Sequence, residues 1–166
     1  VPVLSDQSAV PMIVFAPLRD PVEAINSHLR RAGHAVHCTW IPALGDLGDA
    51  LTQLNPEMLI CQPQADGELS AVAAVRNQLA PQVPLIALLE AADETAIAGA
   101  IAVGARDAVT LARPDRLRAV IERELRSFRL ERALSTTLQS ARDYRKQLET
   151  VLQRSNDAIA QVLQIA

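Results

Sequence analysis

Three neighbouring residues have the types a metal site would use: His34, His37 and Cys38. Imidazole and thiolate are donors that zinc accepts. The segment reads as a strand, however, and residues 34 and 37 of a strand point to opposite faces. A zinc site is therefore not expected. Cys38 and Cys61 both fall in strand-like apolar segments, which favours buried free thiols over a disulfide. Asp66-Gly67 has the chemistry of a turn. Asp20 is the only acid near the end of the first apolar run, and it reads as a helix N-cap. Trp40 is expected to pack between helix and strand, with a role as a contact anchor on the rim as the lesser alternative. There is no glycine-rich phosphate loop, no nucleophile elbow and no Ser-His-Asp pattern. No catalytic residue, metal ligand or cofactor is assigned.

The elements that would position such residues are regular. Met12–Phe15 is a short continuous apolar run, as a strand buried on both faces requires. A helix follows, with Asp20 as cap, Pro21 at its first position and Gly33 just past its end. Further strands are expected at about 34–39, at Met58–Cys61, at Leu85–Leu89 and at about 107–111. Helices are expected at Leu44–Leu54, at 69–79 and at 94–103, the last stopping at Gly104. Strand and helix alternate with short loops, which predicts an α/β fold: a parallel sheet with helices on both faces. For five such units the flavodoxin-like strand order 2-1-3-4-5 is the best-populated solution.

At 166 residues one domain is the default. Apolar residues make up 49% and aromatics only 2%, so base stacking has little to work with. The net charge of −3 provides no basic field for nucleic acid or an anionic membrane. No apolar run approaches a membrane span. Val1 to Pro17 contains Asp6 and two internal prolines without a basic stretch, and is not expected to be a signal peptide. A start at Val rather than Met suggests a piece of something longer.

The last helix departs from the repeat. After Pro114 there is neither Gly nor Pro, and Asp115 could cap the start. Some 50 residues at 1.5 Å each would reach roughly 75 Å, against about 30–40 Å for a compact domain of this size. Such a helix is expected to leave the domain. Leu117, Val120, Ile121 and Leu125 would cover the sheet. Beyond Phe128 the spacing alternates between four and three: Leu134, Leu138, Ala141, Arg145, Leu148, Leu152, Ser155, Ile159 and Val162. Charged residues such as Arg142, Asp143, Lys146 and Glu149 flank this seam. A narrow seam with charged flanks predicts a two-stranded coiled coil and hence a homodimer.

Residues 11–125 resemble the receiver domain of bacterial response regulators. The likeness rests on the element order, on Leu29-Arg30-Arg31-Ala32-Gly33-His34-Ala35-Val36, on Pro56-Glu57-Met58-Leu59-Ile60-Cys61, on Pro84-Leu85-Ile86 and on Gly104-Ala105-Arg106-Asp107. A working receiver holds Mg²⁺ on an acidic pair after strand one and takes phosphate on an aspartate ending strand three. It also uses a Ser or Thr ending strand four, a lysine ending strand five and an aromatic switch in that strand. The resemblance puts Ala16 and Pro17 at the acidic pair and Gln62 at the acceptor. Leu89 falls at the hydroxyl, Leu111 at the lysine and Ala108 at the switch. Arg113 could replace the lysine only with a local insertion. None of these side chains supplies a carboxylate for Mg²⁺ or an anionic oxygen for an acyl phosphate.

Val151 to Val162, with Ser155-Asn156-Asp157-Ala158-Ile159, resembles the approach to a PAS-type sensory domain. Together these features are similar to FimX-type proteins, in which such a receiver precedes PAS, degenerate GGDEF and EAL domains. That resemblance implies a tail at 1–10, a degenerate receiver at 11–125 and a coiled-coil linker at 126–166. It further implies a cytoplasmic location, a protein partner that places the molecule at the cell pole, and a role in type IV pilus assembly and twitching motility. Cyclic di-GMP would be bound only by downstream domains. Two other uses remain open: a stand-alone regulator that binds a small ligand in the emptied acidic pocket, and a receiver phosphorylated at an unusual site.

Overall fold

The computed structural model describes residues 9–165; the expectations for Val1 to Ser8 lie outside the described residues. Five strands, β1 (Val10–Phe15), β2 (Val36–Ile41), β3 (Met58–Cys61), β4 (Leu85–Leu88) and β5 (Asp107–Val109), alternate with five helices. These are α1 (Asp20–Arg31), α2 (Leu44–Leu54), α3 (Glu68–Leu79), α4 (Glu94–Ala102) and α5 (Pro114–Ile165). The strands form one parallel sheet in the order β2-β1-β3-β4-β5. The expected flavodoxin-like architecture is what the chain adopts.

The central strands are apolar on both faces because both faces are covered. On one side Ile13, Phe15, Leu59, Cys61, Leu85 and Ala87 pack with residues of α2, α3 and α4. On the other, Met12, Val14, Met58, Ile60, Ile86 and Leu88 pack with Ile25 and Leu29 of α1 and with Leu117, Val120, Ile121 and Leu125 of α5. α1 ends as the sequence suggested. Gly33 takes the left-handed conformation at φ +88°, and the His34 N–H returns to the Leu29 carbonyl at 2.9 Å.

Several expectations need correction. β1 begins at Val10, two residues before the apolar run that predicted it. Asp20 is the first residue of α1; Arg19 holds the cap position, and no side chain caps that end. β2 starts at Val36 rather than near 34, because His34 is taken up in closing α1. β4 stops at Leu88 and β5 at Val109, which leaves Leu89 and Leu111 just outside their strands. α5 begins at Pro114, so Asp115 is inside its first turn and does not cap it.

The chain divides into two compact units, one ending at Phe128 and the other beginning at Arg129. The first contains the sheet. The second is helical throughout its described length, and each of its described residues is exposed.

Candidate functional site

In a parallel sheet with helices on both faces, ligands and chemistry belong at the carboxyl ends of the strands. Each residue singled out from the sequence can be located relative to that edge. Ala16 directly follows β1 and is completely buried, with its N–H donating to the Ile41 carbonyl at 3.2 Å. Its own carbonyl accepts the Trp40 indole N–H at 2.9 Å. Trp40 lies in register with Val14 and packs against the α1/α5 side of the core, which is the packing role expected of it. Pro17 is exposed. Asp20 is exposed at the first residue of α1.

Gln62 follows β3, half-buried, its N–H bonded to the Phe15 carbonyl at 2.8 Å. Leu89 follows β4 and is half-buried, with its N–H on the Val109 carbonyl at 2.8 Å. Gln62, Pro63, Gln64, Leu88, Leu89 and Glu90 line one hollow of about 280 Å³. The structure thus brings Gln62 and Leu89 together. Leu111 packs against the opposite core cluster and does not line this hollow. Ala108, fully buried inside β5, sits in register with Ala87. Arg113, exposed after β5, gives its N–H to the Thr110 carbonyl in the turn before α5.

The hollow can offer amide and carbonyl dipoles and the Glu90 chain, but the side chains at the strand ends themselves are methyl, pyrrolidine, amide and isobutyl groups. Among the described residues, no three His, Cys, Asp or Glu side chains are grouped so as to hold a metal ion. The two thiols belong to the packing. Burial pushes Cys38 up to about 11, against a smaller opposing pull from Arg30. Cys61 is pushed up to about 12, by burial first and by Glu68 second. Both are protonated and poorly nucleophilic at neutral pH.

The charge that the strand ends lack appears elsewhere, in contacts that sequence reasoning missed. Asp107 opens β5 and is buried. Its Oδ1 accepts from Arg116 at 3.0 Å and from its neighbour's N–H, that of Ala108, at 2.7 Å; its Oδ2 accepts from Arg123 at 2.9 Å. Arg116 also donates to the Ala108 carbonyl. Burial alone would raise the Asp107 carboxyl, but the Ala108 N–H and the Arg123 and Arg116 guanidiniums outweigh it and hold it below its usual range. Arg116 and Arg123 are seven residues apart and so share one face of α5; that spacing is the signal that could have revealed the cluster. His34 Nε2 lies 2.8 Å from Glu122 Oε1, tying the turn between α1 and β2 to α5. That contact, then Arg118 and Arg126, keeps the Glu122 carboxyl low, against a small opposing effect of burial. His34 precedes β2, so the alternation argument that separated it from His37 does not describe it. Arg76 of α3 donates to the Gly104 carbonyl at 2.8 Å across the foot of α4. Gly104 has φ +117°, and a Cβ there would come within 3.2 Å of the Ala73 Cβ.

Comparison with known proteins agrees with this geometry at the level of fold. No protein-family model and no curated protein matches the sequence. Solved structures do. NtrX from Brucella abortus, in complex with ADP, aligns with a TM-score of 0.63 and 23% identity over 76% of this chain and 28% of its own. A response regulator from Thermotoga maritima gives 0.60 and 15% over 70% of this chain and 98% of its own. A Burkholderia pseudomallei protein named for a relation to pilus assembly gives 0.58 and 17% over 72% of this chain and 91% of its own. The chain has the fold of response-regulator receiver domains. At these identities the likeness carries fold alone.

Proposed function

We propose that this chain is a receiver-type signalling module that works by binding and not by phosphoryl transfer. The observation that carries the reading is the set of side chains at the strand ends. An acyl phosphate needs a carboxylate nucleophile and a divalent cation to neutralise the transferred group. Gln62 supplies an amide, and the end of β1 supplies the Ala16 methyl and the Pro17 ring. A fold without its chemistry keeps its surfaces, and the role left to it is docking. The seam from Leu134 to Val162 is exposed along its length, which supports dimerisation through that helix. No helix among the described residues is long and apolar enough to cross a membrane.

Within that reading, the module is cytoplasmic and supplies position to a larger cyclic di-GMP signalling protein that controls type IV pilus assembly and twitching motility. A protein partner would hold it at the cell pole. Two things favour this: the resemblance to FimX-type proteins, and the pilus-related name of the Burkholderia neighbour. Incubation with acetyl phosphate and Mg²⁺ should leave the intact mass unchanged; stoichiometric, Mg²⁺-dependent addition of phosphate overturns the binding-only reading. For the positional role, removing residues 1–125 from the full-length protein should disperse it from the pole while cyclic di-GMP affinity stays near wild type. Lost nucleotide affinity with retained polar placement would make the domain an allosteric regulator instead.

A further inference from the structure

We propose that the helical seam pairs with a second copy of this chain in antiparallel orientation, centred between Leu148 and Leu152. The proposal deepens the dimer reading above and rests on it. The seam advances by alternating steps of four and three residues, an average of 3.5, which keeps one narrow stripe facing a partner helix. In heptad terms Leu138, Arg145, Leu152 and Ile159 occupy a positions, and Leu134, Ala141, Leu148, Ser155 and Val162 occupy d positions. None of the large apolar residues on the stripe is covered within the chain: Leu134, Leu138, Leu148, Leu152, Ile159 and Val162 are 46 to 66% exposed.

The irregular positions decide the direction. In a parallel, in-register pair each residue meets its own copy. Two arginines would then meet at position 145, two alanines at 141 and two serines at 155. The first layer brings like charges together in a desolvated place, and the other two leave voids. In an antiparallel pair each a position meets a d position. Centring that pair between 148 and 152 matches large with small at every irregular layer. Ala141 faces Ile159 of the second copy, and Arg145 faces Ser155, where a small polar side chain leaves room for the guanidinium. Leu148 faces Leu152, and Leu138 faces Val162. On one flank Tyr144 comes opposite Ala158, again large against small. On the other flank the two Glu149 side chains approach across the axis. Each already has a partner in its own helix, the Arg145 guanidinium at 3.2 Å, so a salt-bridged pair faces its copy there.

Distances between spin labels on introduced cysteines test the proposal. Cys61 is buried and Cys38 half-buried, so Cys38→Ser in the background of both variants directs a thiol-specific label to the new site. Ala133→Cys and Gln147→Cys change exposed residues on the outer side of the helix. The antiparallel centre is residue 150, and Ala133 lies about 17 residues from it, so its two labels should be offset along the axis by about 34 residues, roughly 51 Å. Gln147 is about three residues from the centre, and its labels should be offset by only about 9 Å. A parallel dimer puts both label pairs side by side, within about 20–25 Å, the width of two helices. A long distance at 133 with a short one at 147 is the expected result. Equal short distances at both sites overturn the orientation and leave the dimer standing. Absence of any intermolecular distance in either variant, with a monomer in sedimentation, removes the dimer and this proposal with it.

Discussion

The two ends of β5 hold opposite kinds of residue. At its start Asp107 is buried against Arg116 and Arg123 of α5, with every carboxylate oxygen occupied. Just past its far end, on the edge where a receiver fold does its chemistry, Leu111 bears no charge, nor do Leu89, Gln62 and Ala16 after the other strands. Charge fastens α5 to the sheet, whereas the strand-end positions that would bind a cation or accept phosphate carry none, and Glu90, one residue further on, is the carboxylate lining the hollow. The difference separates architecture from activity: the fold needs the first cluster and is indifferent to the second.

The largest effect should come from outside both clusters, on the helical unit. Leu138→Glu with Leu148→Glu places carboxylates at two seam positions of each copy, each costing several kcal/mol if unpaired. Sedimentation should show a monomer, while the circular dichroism of the globular unit is kept. A double mutant that stays fully dimeric would place the interface on the globular unit.

A smaller loss is expected at the start of β5. Asp107→Ala leaves two guanidiniums and the Ala108 N–H without their acceptor. Breaking a fully buried ion pair costs 3–5 kcal/mol, but both arginines are more than a third exposed and partly solvated, so the loss should be on the order of 2 kcal/mol. The urea midpoint reports it. The same cluster fixes a pH dependence. The Asp107 carboxyl is lower in the folded than in the unfolded chain, so the unfolded chain takes up the proton first. Its stabilisation is complete above the ordinary aspartate value of about 3.9 and fades as pH falls through the lower folded value. That acid-side slope should be shallower in Asp107→Asn; an unchanged slope would show that other carboxylates carry it.

The smallest effect should follow Gln62→Asp at the other end. Position 62 is half-buried beside a hollow open to solvent, so stability should shift by less than about 1 kcal/mol. The new carboxylate should still take no phosphate, because Ala16 and Pro17 give Mg²⁺ no ligand. Phosphorylation restored by this single change would mean that the rest of the edge is intact, and would break the contrast.

Much of this was legible in the sequence. The bounds of α2 and β3 follow from their apolar patterns, and the strand order follows from the alternation of elements. The ends of strands were harder. Apolar character continues through Leu89 and Leu111 although the strands end at Leu88 and Val109, since both still pack against core. β2 was displaced because His34 and Ala35 continue an alternating pattern that the closure of α1 overrides. The strand-end residues were readable as types in a known order. The Asp107 cluster was not, because it joins β5 to two turns of α5 by charge rather than by periodicity. Trp40 on the Ala16 carbonyl was equally hidden, since a backbone acceptor leaves no trace in the sequence.

The central claim is that the carboxyl edge of the sheet neither binds Mg²⁺ nor accepts a phosphoryl group. The most direct measurement follows amide shifts of the intact chain on addition of Mg²⁺, then of beryllofluoride, a mimic of the acyl phosphate. The Gln62, Ala16 and Leu89 amides should stay where they are at millimolar Mg²⁺ and remain there with beryllofluoride. Saturable, Mg²⁺-dependent shifts centred on Gln62 would contradict the account.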